Sequence, residues 1–349
     1  MQQSPMNGTA AAGAVYVQTN AAPNEVIAFR RADDGSLDRI GSVGTGGDGE
    51  GSPHLTSQGS VVLTRDGRHL LVTNAASDDL SVFSVANDCS IELRERVHTG
   101  AAPKSVTEYE GLVVVLNTGE PGLASFRLDA EGVEPVEGGD QALEASDADP
   151  AQVGFSPDGS IVVITERGAD SIVTYEVAPD GTFGASSEIA SQGPTPYGFA
   201  FTSGGTLVVT EAFRAEKGAA AASSYAIAGD GSLEVRTSSV GNGRSEICWA
   251  VVTPDDRFAF TTNFADGAVS RFAIAADSSL SLEDATAGIA VEGKPGLRDE
   301  DLSGDGRFLY AIDADGGRVY GWSVDAEGSL EPVGSWDGLP ETVAGLAAS

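Results

Sequence analysis

Asp66-Gly-Arg-His-Leu-Leu-Val-Thr-Asn74, followed by Leu80-Ser-Val-Phe83 and Asp88-Cys-Ser-Ile91, is the stretch that decides the fold. It contains a tight Asp-Gly turn, an apolar strand that ends in a polar residue, an alternating strand with an aromatic residue near its end, and a second turn. Glycine tolerates the positive φ of such turns, and branched side chains favour a pleated surface. The stretch therefore predicts consecutive antiparallel strands joined by hairpins.

The same pattern recurs in register along the chain, with its polar strand ends about 43 to 54 residues apart. The polar strand ends are Asn20, Asn74, Asn117, Glu166, Glu211, Asn263 and Asp313. The aromatic residues of the alternating strand are Phe29, Phe83, Phe126, Tyr175, Tyr225, Phe272 and Trp322. This period is typical of propeller blades. The sequence predicts an all-β fold, a seven-bladed β-propeller with four-stranded antiparallel blades.

The two ends of the chain predict how the ring closes. The first repeat opens directly on Ala14-Val-Tyr-Val-Gln-Thr-Asn20 and lacks an innermost strand. Thr342-Val-Ala-Gly-Leu-Ala347 follows a complete seventh repeat and has no partner of its own. Pairing this C-terminal strand into blade one completes that blade and removes an open edge. We expect a disordered N-terminal arm at residues 1–12 and one propeller domain over residues 13–349.

The charge of the chain restricts its partners. There are 52 Asp and Glu residues against 20 Lys and Arg, a formal net charge of -32. Because phosphate backbones and anionic lipid surfaces would be repelled, we expect neither a nucleic-acid nor a membrane partner. The acidity fits a high-salt cytoplasm or a high-GC genome, and the sequence leaves both open. Without a secretory signal we expect a cytoplasmic protein, with a monomer as the default oligomeric state.

Several kinds of site are missing from the sequence. The two cysteines, Cys89 and Cys248, are far apart and predict buried thiols rather than a disulfide framework. There is no cysteine–histidine spacing typical of zinc, no phosphate-binding loop with a lysine, and no nucleophile elbow. We therefore expect no metal and no cofactor.

Candidate site residues lie on the connections that a propeller gathers at one mouth of its channel. Catalytic candidates are His54, Glu166 and Glu211, and substrate-binding candidates are Tyr197, Arg214, Arg244, Trp249 and Arg298. We predict that the charged residues of this set converge in one pocket. The alternatives are structural: the Asn and Asp strand ends cap their own turns, Arg298 pairs with Asp299 or Glu300, and the two aromatic residues only pack at a blade junction. Glutamate caps turns poorly, so Glu166 and Glu211 are expected to reach further into the mouth.

The repeats resemble the lactonase-type seven-bladed propeller family, which includes bacterial 6-phosphogluconolactonases and fungal 3-carboxy-cis,cis-muconate lactonizing enzymes. The resemblance covers nearly the whole chain. The stretches that carry it, besides those quoted first, are Ser52-Pro-His-Leu55, Ser156-Pro-Asp-Gly159, Leu297-Arg298 and Leu302-Ser-Gly-Asp-Gly-Arg-Phe-Leu-Tyr310. By this resemblance, His54 and Arg298 match His and Arg residues that recur on the channel side. Glu166, Glu211 and Arg214 stand where a muconate-type site would want acid–base and anion-binding groups.

The resemblance implies an enzyme that acts on a small anionic lactone or a muconate-type substrate. Hydrolysis of a lactone needs a base for water and a cation for the developing oxyanion, whereas cycloisomerisation needs carboxylate clamps and a proton donor. Both reactions use the same residue types, so the sequence leaves them open. The alternative from another class is a non-catalytic propeller that binds a small ligand or a protein.

Overall fold

The computed structural model describes residues 12–53 and 55–349, and it arranges them in seven four-stranded antiparallel sheets. The first strands are β1 (Gly13–Gln18), β2 (Glu25–Arg31), β3 (Leu37–Gly44), β4 (Val61–Leu63), β5 (His69–Asn74), β6 (Asp79–Val85) and β7 (Ile91–His98). Blades three to five contain β8 (Pro103–Tyr109), β9 (Leu112–Asn117), β10 (Gly122–Leu128), β11 (Val133–Ala142), β12 (Pro150–Phe155), β13 (Ile161–Glu166), β14 (Ser171–Val177), β15 (Phe183–Ala190), β16 (Pro196–Phe201), β17 (Thr206–Glu211), β18 (Ala221–Ile227) and β19 (Leu233–Gly241). The remaining strands are β20 (Ile247–Val252), β21 (Phe258–Asn263), β22 (Ala268–Ile274), β23 (Leu280–Ile289), β24 (Leu297–Leu302), β25 (Phe308–Asp313), β26 (Arg318–Val324), β27 (Leu330–Asp337) and β28 (Ala344–Ala348).

Each blade runs outward from strand A at the channel to strand D at the rim. Two short 3-10 turns, Phe213–Ala215 and Phe264–Asp266, lie in the B-to-C connections of blades five and six. Among the described residues, no helix has the length and apolar character to cross a bilayer. The predicted fold class, an all-β seven-bladed propeller, is confirmed.

The repeat features fall where the sequence predicts them. Six of the polar residues are the last residues of the B strands β5, β9, β13, β17, β21 and β25. In blade one the strand ends earlier, at Gln18, and Asn20 lies in the following loop with a φ of 49°. The seven aromatic residues all lie on C strands and are buried. Their apolar surface fills the space between neighbouring blades, and burying each side chain stabilises the ring by about 1.5–3 kcal/mol.

The ring closes as predicted, because β28 pairs with β1 as the innermost strand of blade one. The register places Val15 opposite Ala348 and Val17 opposite Leu346. Behind this ladder, the buried Arg31 donates from Nε to the Ser349 carbonyl oxygen at 2.9 Å. The predicted N-terminal arm lies outside the described residues except for Ala12.

Strand β4 is the one innermost strand that is much shorter than the rest. It has three residues, whereas β12, β16, β20 and β24 have six each. Residues 55–60, which we call the plug, precede β4 and lie across the channel instead of extending this strand. A ring of seven blades encloses a channel wider than side chains alone fill, so a crossing segment can close it.

The plug binds three other blades. Ser57 donates to the carbonyl oxygen of Lys104 in blade three at 2.6 Å. The backbone amide of Gln58 donates to the Ala151 carbonyl in blade four at 3.2 Å. The side chain of Gln58 reaches Ala250 in blade six, with its Nε2 2.9 Å from the carbonyl oxygen. The plug therefore separates the two mouths of the channel.

Candidate functional site

Arg298 lies at the beginning of β24, beside the segment that leads into the plug. Its side chain is buried, with the residue only 4% exposed. Nη1 donates to the carbonyl oxygen of Pro53, and Nη2 lies 3.9 Å from Oδ1 of Asp315. The guanidinium carbon is 4.8 Å from the ring centroid of Phe264. The structural alternative was a pairing of Arg298 with Asp299 or Glu300. These contacts contain no such pair.

Tyr197 and Trp249 form an aromatic pair near this arginine. Their ring centroids are 5.5 Å apart with an interplanar angle of 61°, an edge-to-face contact. Both are buried with Ala151 and Cys248, and Phe264 packs against the same cluster. We call Tyr197, Trp249, Phe264 and Arg298 the mouth cluster. The two predicted aromatic residues and one predicted arginine are thus brought together.

The mouth cluster contains buried polar atoms without protein partners. Tyr197 Oη, Trp249 Nε1 and Arg298 Nε are all buried and make no hydrogen bond with the residues that the structure describes. Leaving such a group unpaired costs about 1–3 kcal/mol. Each of the three can donate a hydrogen bond, so the group that would satisfy them is an acceptor such as a carboxylate or a lactone carbonyl.

Charged groups surround the cluster. The guanidinium carbon of Arg167 lies 5.0 Å from the Tyr197 ring centroid, and its Nη2 pairs with Asp149 at 2.7 Å. Burial raises the pKa of the Tyr197 hydroxyl and of the Cys248 thiol, so both stay protonated and neutral. The cysteine is therefore no nucleophile at neutral pH.

Glu246 is a carboxylate at this mouth that the sequence analysis did not select. It precedes β20, has a φ of 54°, and is partly buried. Burial raises the pKa of its carboxyl, Asp266 raises that pKa further, and Arg298 lowers it. A partly exposed carboxylate with a raised pKa is a suitable proton acceptor. Its position just before an innermost strand was visible in the sequence, but its proximity to Arg298 was not.

Glu166 and Glu211 lie inside their own blades. Ser171 donates to Glu166 at 2.8 Å, and Ser223 and Ser239 donate to the two oxygens of Glu211 at 2.5 and 2.6 Å. Burial raises the pKa of both carboxyls. Asn74 bonds in the same manner to Asp79 and Ser81 of blade two. Through these hydrogen bonds the two glutamates tie strand B to neighbouring strands of the same blade.

Arg214 and Arg244, the other predicted cations, make their contacts outside the mouth cluster. Arg214 has a φ of 50°, pairs with Asp170, and has 65% of its side chain exposed. Arg244 lies between β19 and β20, where its backbone amide donates to Asn242 at 2.9 Å and its carbonyl accepts from Ala220 at 3.1 Å. His54 lies outside the described residues.

A family model described as "Lactonase, 7-bladed beta-propeller" matches residues 12–142, 134–217 and 210–343, which together cover most of the chain. The chain belongs to this lactonase family. The resemblance seen in the repeat motifs is thereby confirmed. No curated protein sequence matches the chain.

Solved structures with the same architecture align with this lactonase-family propeller over almost its whole length. A putative 6-phosphogluconolactonase from Bacteroides fragilis aligns at 16% identity with a TM-score of 0.76, over 99% of this chain and 100% of that one. A periplasmic gluconolactonase from Pseudomonas aeruginosa aligns at 18% identity with a TM-score of 0.71, over 96% and 98% of the two chains. A Lactobacillus plantarum protein aligns at 14% identity with a TM-score of 0.76, over 97% and 99%. At these identities the likeness shows the fold.

The arrangement in this lactonase-family propeller offers two chemical functions. Arg298, Tyr197 and Trp249 offer positive charge and free donors to an anionic or carbonyl oxygen. Glu246 offers a proton acceptor close enough to Arg298 for the guanidinium to lower the pKa of its carboxyl. These are the groups that addition of water to an ester carbonyl requires.

Proposed function

We propose that this propeller hydrolyses a small lactone that carries a carboxylate or phosphate group, at the mouth cluster. The supporting observation is the set of unpartnered buried donors on Tyr197, Trp249 and Arg298. In a protein of net charge -32, a buried arginine beside two neutral donors is a local site for an anionic ligand. Arginine is suited to this because its planar fork binds carboxylate and phosphate in a bidentate way.

In the proposed reaction, Glu246 accepts a proton from water while the water oxygen bonds to the lactone carbonyl carbon. The negative charge that develops on the carbonyl oxygen is stabilised by the donors of the mouth cluster. The ring C–O bond then breaks, and the protonated Glu246 returns its proton to the leaving alkoxide. The product is an open-chain hydroxy acid, and the carboxylate is regenerated.

Access to this site requires a movement of the segment before the plug. Arg298 is 4% exposed here and donates to the Pro53 carbonyl, so that carbonyl occupies the place of an acceptor from substrate. Substrate binding would exchange one acceptor for another. The exchange conserves a hydrogen bond and adds charge complementarity.

The test is turnover of a lactone panel, measured by acid release. The panel includes 6-phosphogluconolactone, glucono-δ-lactone, an uncharged γ-lactone and a carboxymuconolactone. We expect Arg298→Gln to lower kcat/KM for the charged substrates at least tenfold, about 1.4 kcal/mol, and the uncharged lactones to be poor substrates. The absence of turnover with every lactone would refute the proposal.

Arg271→Gln is the matched control. Arg271 also contacts a ring, Phe258, at 5.4 Å, pairs with Glu283, donates to a backbone carbonyl, and has a buried unpartnered Nε. It lies on β22, the C strand of blade six, away from the mouth cluster. If both variants lose activity equally, the effect is one of folding and not of the site.

A non-catalytic ligand-binding propeller is the second candidate. The observation in its favour is that Glu166, Glu211 and Arg214 are engaged by neighbours within or between blades. A binding function predicts saturable binding of an anionic lactone, or of its hydroxy acid, with no turnover. The same panel separates the two, and a muconate added to it tests cycloisomerisation.

A further inference from the structure

A cavity lies in the channel, on the side of the plug that faces away from the mouth cluster. It has a volume of about 530 Å³ and extends from Gln58 and Trp249 to the A-to-B turns around Thr64 and Gly304. It therefore opens on the face opposite the mouth cluster. No role in the proposed lactone hydrolysis falls to this cavity.

Three consecutive acidic residues of β24 line this cavity: Asp299, Glu300 and Asp301. Because side chains alternate along a strand, the two aspartates face one neighbouring blade and Glu300 faces the other. Asp301 Oδ2 accepts from the Ala348 backbone amide at 2.9 Å, and the Gly345 amide bonds to Asp299. The aspartates therefore hold the closing strand β28.

Glu300 differs from these aspartates because no cationic side chain among the described residues pairs with it, and its two oxygens meet no hydrogen-bond donor at bonding distance. It is 4% exposed, and both of its carboxylate oxygens are buried without a hydrogen-bond partner. Burial, together with the neighbouring Asp301, raises the pKa of the Glu300 carboxyl well above its ordinary value, and the Thr262 backbone amide offsets only part of that rise. Without a cation the carboxyl is therefore held protonated, and the binding of a cation would release its proton. A buried, unpaired carboxylate costs several kcal/mol, which a cation at the same place would repay.

The other walls of the cavity suit an organic cation. Phe155, Phe199 and Trp249 line it together with aliphatic side chains. Aromatic faces attract ammonium groups, and apolar walls accept an alkyl chain. The one arginine of the lining, Arg65, is at the far mouth and stacks on Tyr109 at 4.4 Å. Within residues 12–53 and 55–349, no three ligating side chains are grouped to hold a metal ion.

We propose that this channel cavity is a binding site for a protonated alkylamine, with Glu300 as its counter-ion and Phe155 and Phe199 as its aromatic wall. The ammonium group donates to the two free carboxylate oxygens of Glu300. The alkyl chain extends toward the open mouth. The site does not depend on the proposed hydrolysis, since it lies across the plug from Arg298.

The test is isothermal titration with n-butylammonium, n-pentanol as its uncharged counterpart, and Ca²⁺. We expect one saturable site for the amine and none for the alcohol. Glu300→Gln should weaken amine binding at least tenfold, whereas the charge-retaining Glu300→Asp should keep measurable binding. Glu211→Gln is the control, because Glu211 is equally buried but is bonded to Ser223 and Ser239.

Three results would overturn the proposal: no saturable amine binding, equal binding by wild type and Glu300→Gln, or binding of Ca²⁺ in preference to the amine. Circular dichroism of each variant shows whether it is folded. If Glu300→Gln does not fold, amine and alcohol binding are compared in the wild-type protein and in Glu300→Asp, and that comparison still tests whether the site requires a cation. Loss of lactone turnover would leave amine binding unaffected, so the two proposals fail separately.

Discussion

The side-chain amide of Gln58 pairs with the backbone of Ala250 as a neighbouring strand would. Nε2 donates to the Ala250 carbonyl at 2.9 Å, and the Ala250 amide donates to Oε1 at 3.1 Å. Gln152 does the same for Phe199, with bonds of 3.0 and 2.6 Å. The innermost strands have unpaired backbone groups toward the channel, and these glutamines satisfy them.

Replacing Gln58 by Ala should destabilise the protein by about 1–3 kcal/mol, because it leaves the Ala250 amide and carbonyl buried without partners. It should also loosen the plug, so that the Ala250 amide exchanges its hydrogen faster. Urea unfolding and hydrogen exchange measure the two effects. Gln141→Ala is the control, since that side chain lies on the outermost strand β11 and makes its hydrogen bonds away from the channel, to the Ala142 carbonyl and to Tyr175. Equal stability of the two variants would contradict the role of the plug.

Removing residues 342–349 should open the ring. The deletion removes β28, exposes the edge of β1 and uncovers apolar surface between blades one and seven. We expect a lower unfolding midpoint and aggregation, measured by calorimetry and light scattering. Arg31→Met should give a milder loss through its bond to Ser349, while Arg39→Met, at an exposed position, should have little effect. An unchanged midpoint in the deletion variant would show that closure does not depend on β28.

Stability should fall as the pH rises from about 4 to 7 through the acidic residues of β24. Burial raises the pKa of Asp299 and of Asp301 from 3.8 to about 7. Since the folded pKa is above the unfolded one, folding favours the protonated forms, and their contribution is lost as they ionise. The Asp299→Asn/Asp301→Asn variant should reduce this fall by at least about 1 kcal/mol between pH 4.5 and 8. Glu300, whose pKa burial also raises, should keep part of it.

Asp158→Asn provides the control of opposite sign. Hydrogen bonds from Ser156 and Ser160 lower the pKa of the Asp158 carboxyl, so its contribution is present above its unfolded pKa and is lost as the pH falls. Its replacement should therefore reduce stability at neutral pH more than at acidic pH. A fall in stability above pH 4 that is undiminished in the double variant would exclude the β24 aspartates as its cause.

Salt should raise the unfolding midpoint if the acidity is an adaptation to a salt-rich cytoplasm. The net charge of -32 destabilises the compact state through self-repulsion. The screening length falls from about 10 Å at 0.1 M to 3 Å at 1 M, so that molar KCl removes most of this repulsion. Calorimetry across this range measures the effect. A flat midpoint would favour the high-GC explanation instead.

The blade pattern could be predicted from the sequence because it depends on local signals. Asp-Gly turns, branched B strands and the C-strand aromatic residues act within one hairpin, so they are visible in order along the chain. Of the candidate residues, Tyr197 and Trp249 pack against each other, and Phe264 links them to Arg298. The position of Glu246 beside Arg298 was missed, because two different blades bring these residues together.

The sequence by itself determined the number of blades, their strand order and the closing strand. The blades and their strand order follow from hairpin turns, which depend on neighbouring residues. The closing strand follows because the unpaired C-terminal strand has one blade to complete, the first, which lacks its innermost strand. Tertiary structure alone decided where the charged side chains go. Glu166 and Glu211 turn to serines of their own blades, while Glu300 has no partner, although all three are buried acids in strands. The physical reason is that a carboxylate's environment depends on which donors the neighbouring strands present. Those neighbours are set by packing between distant parts of the chain.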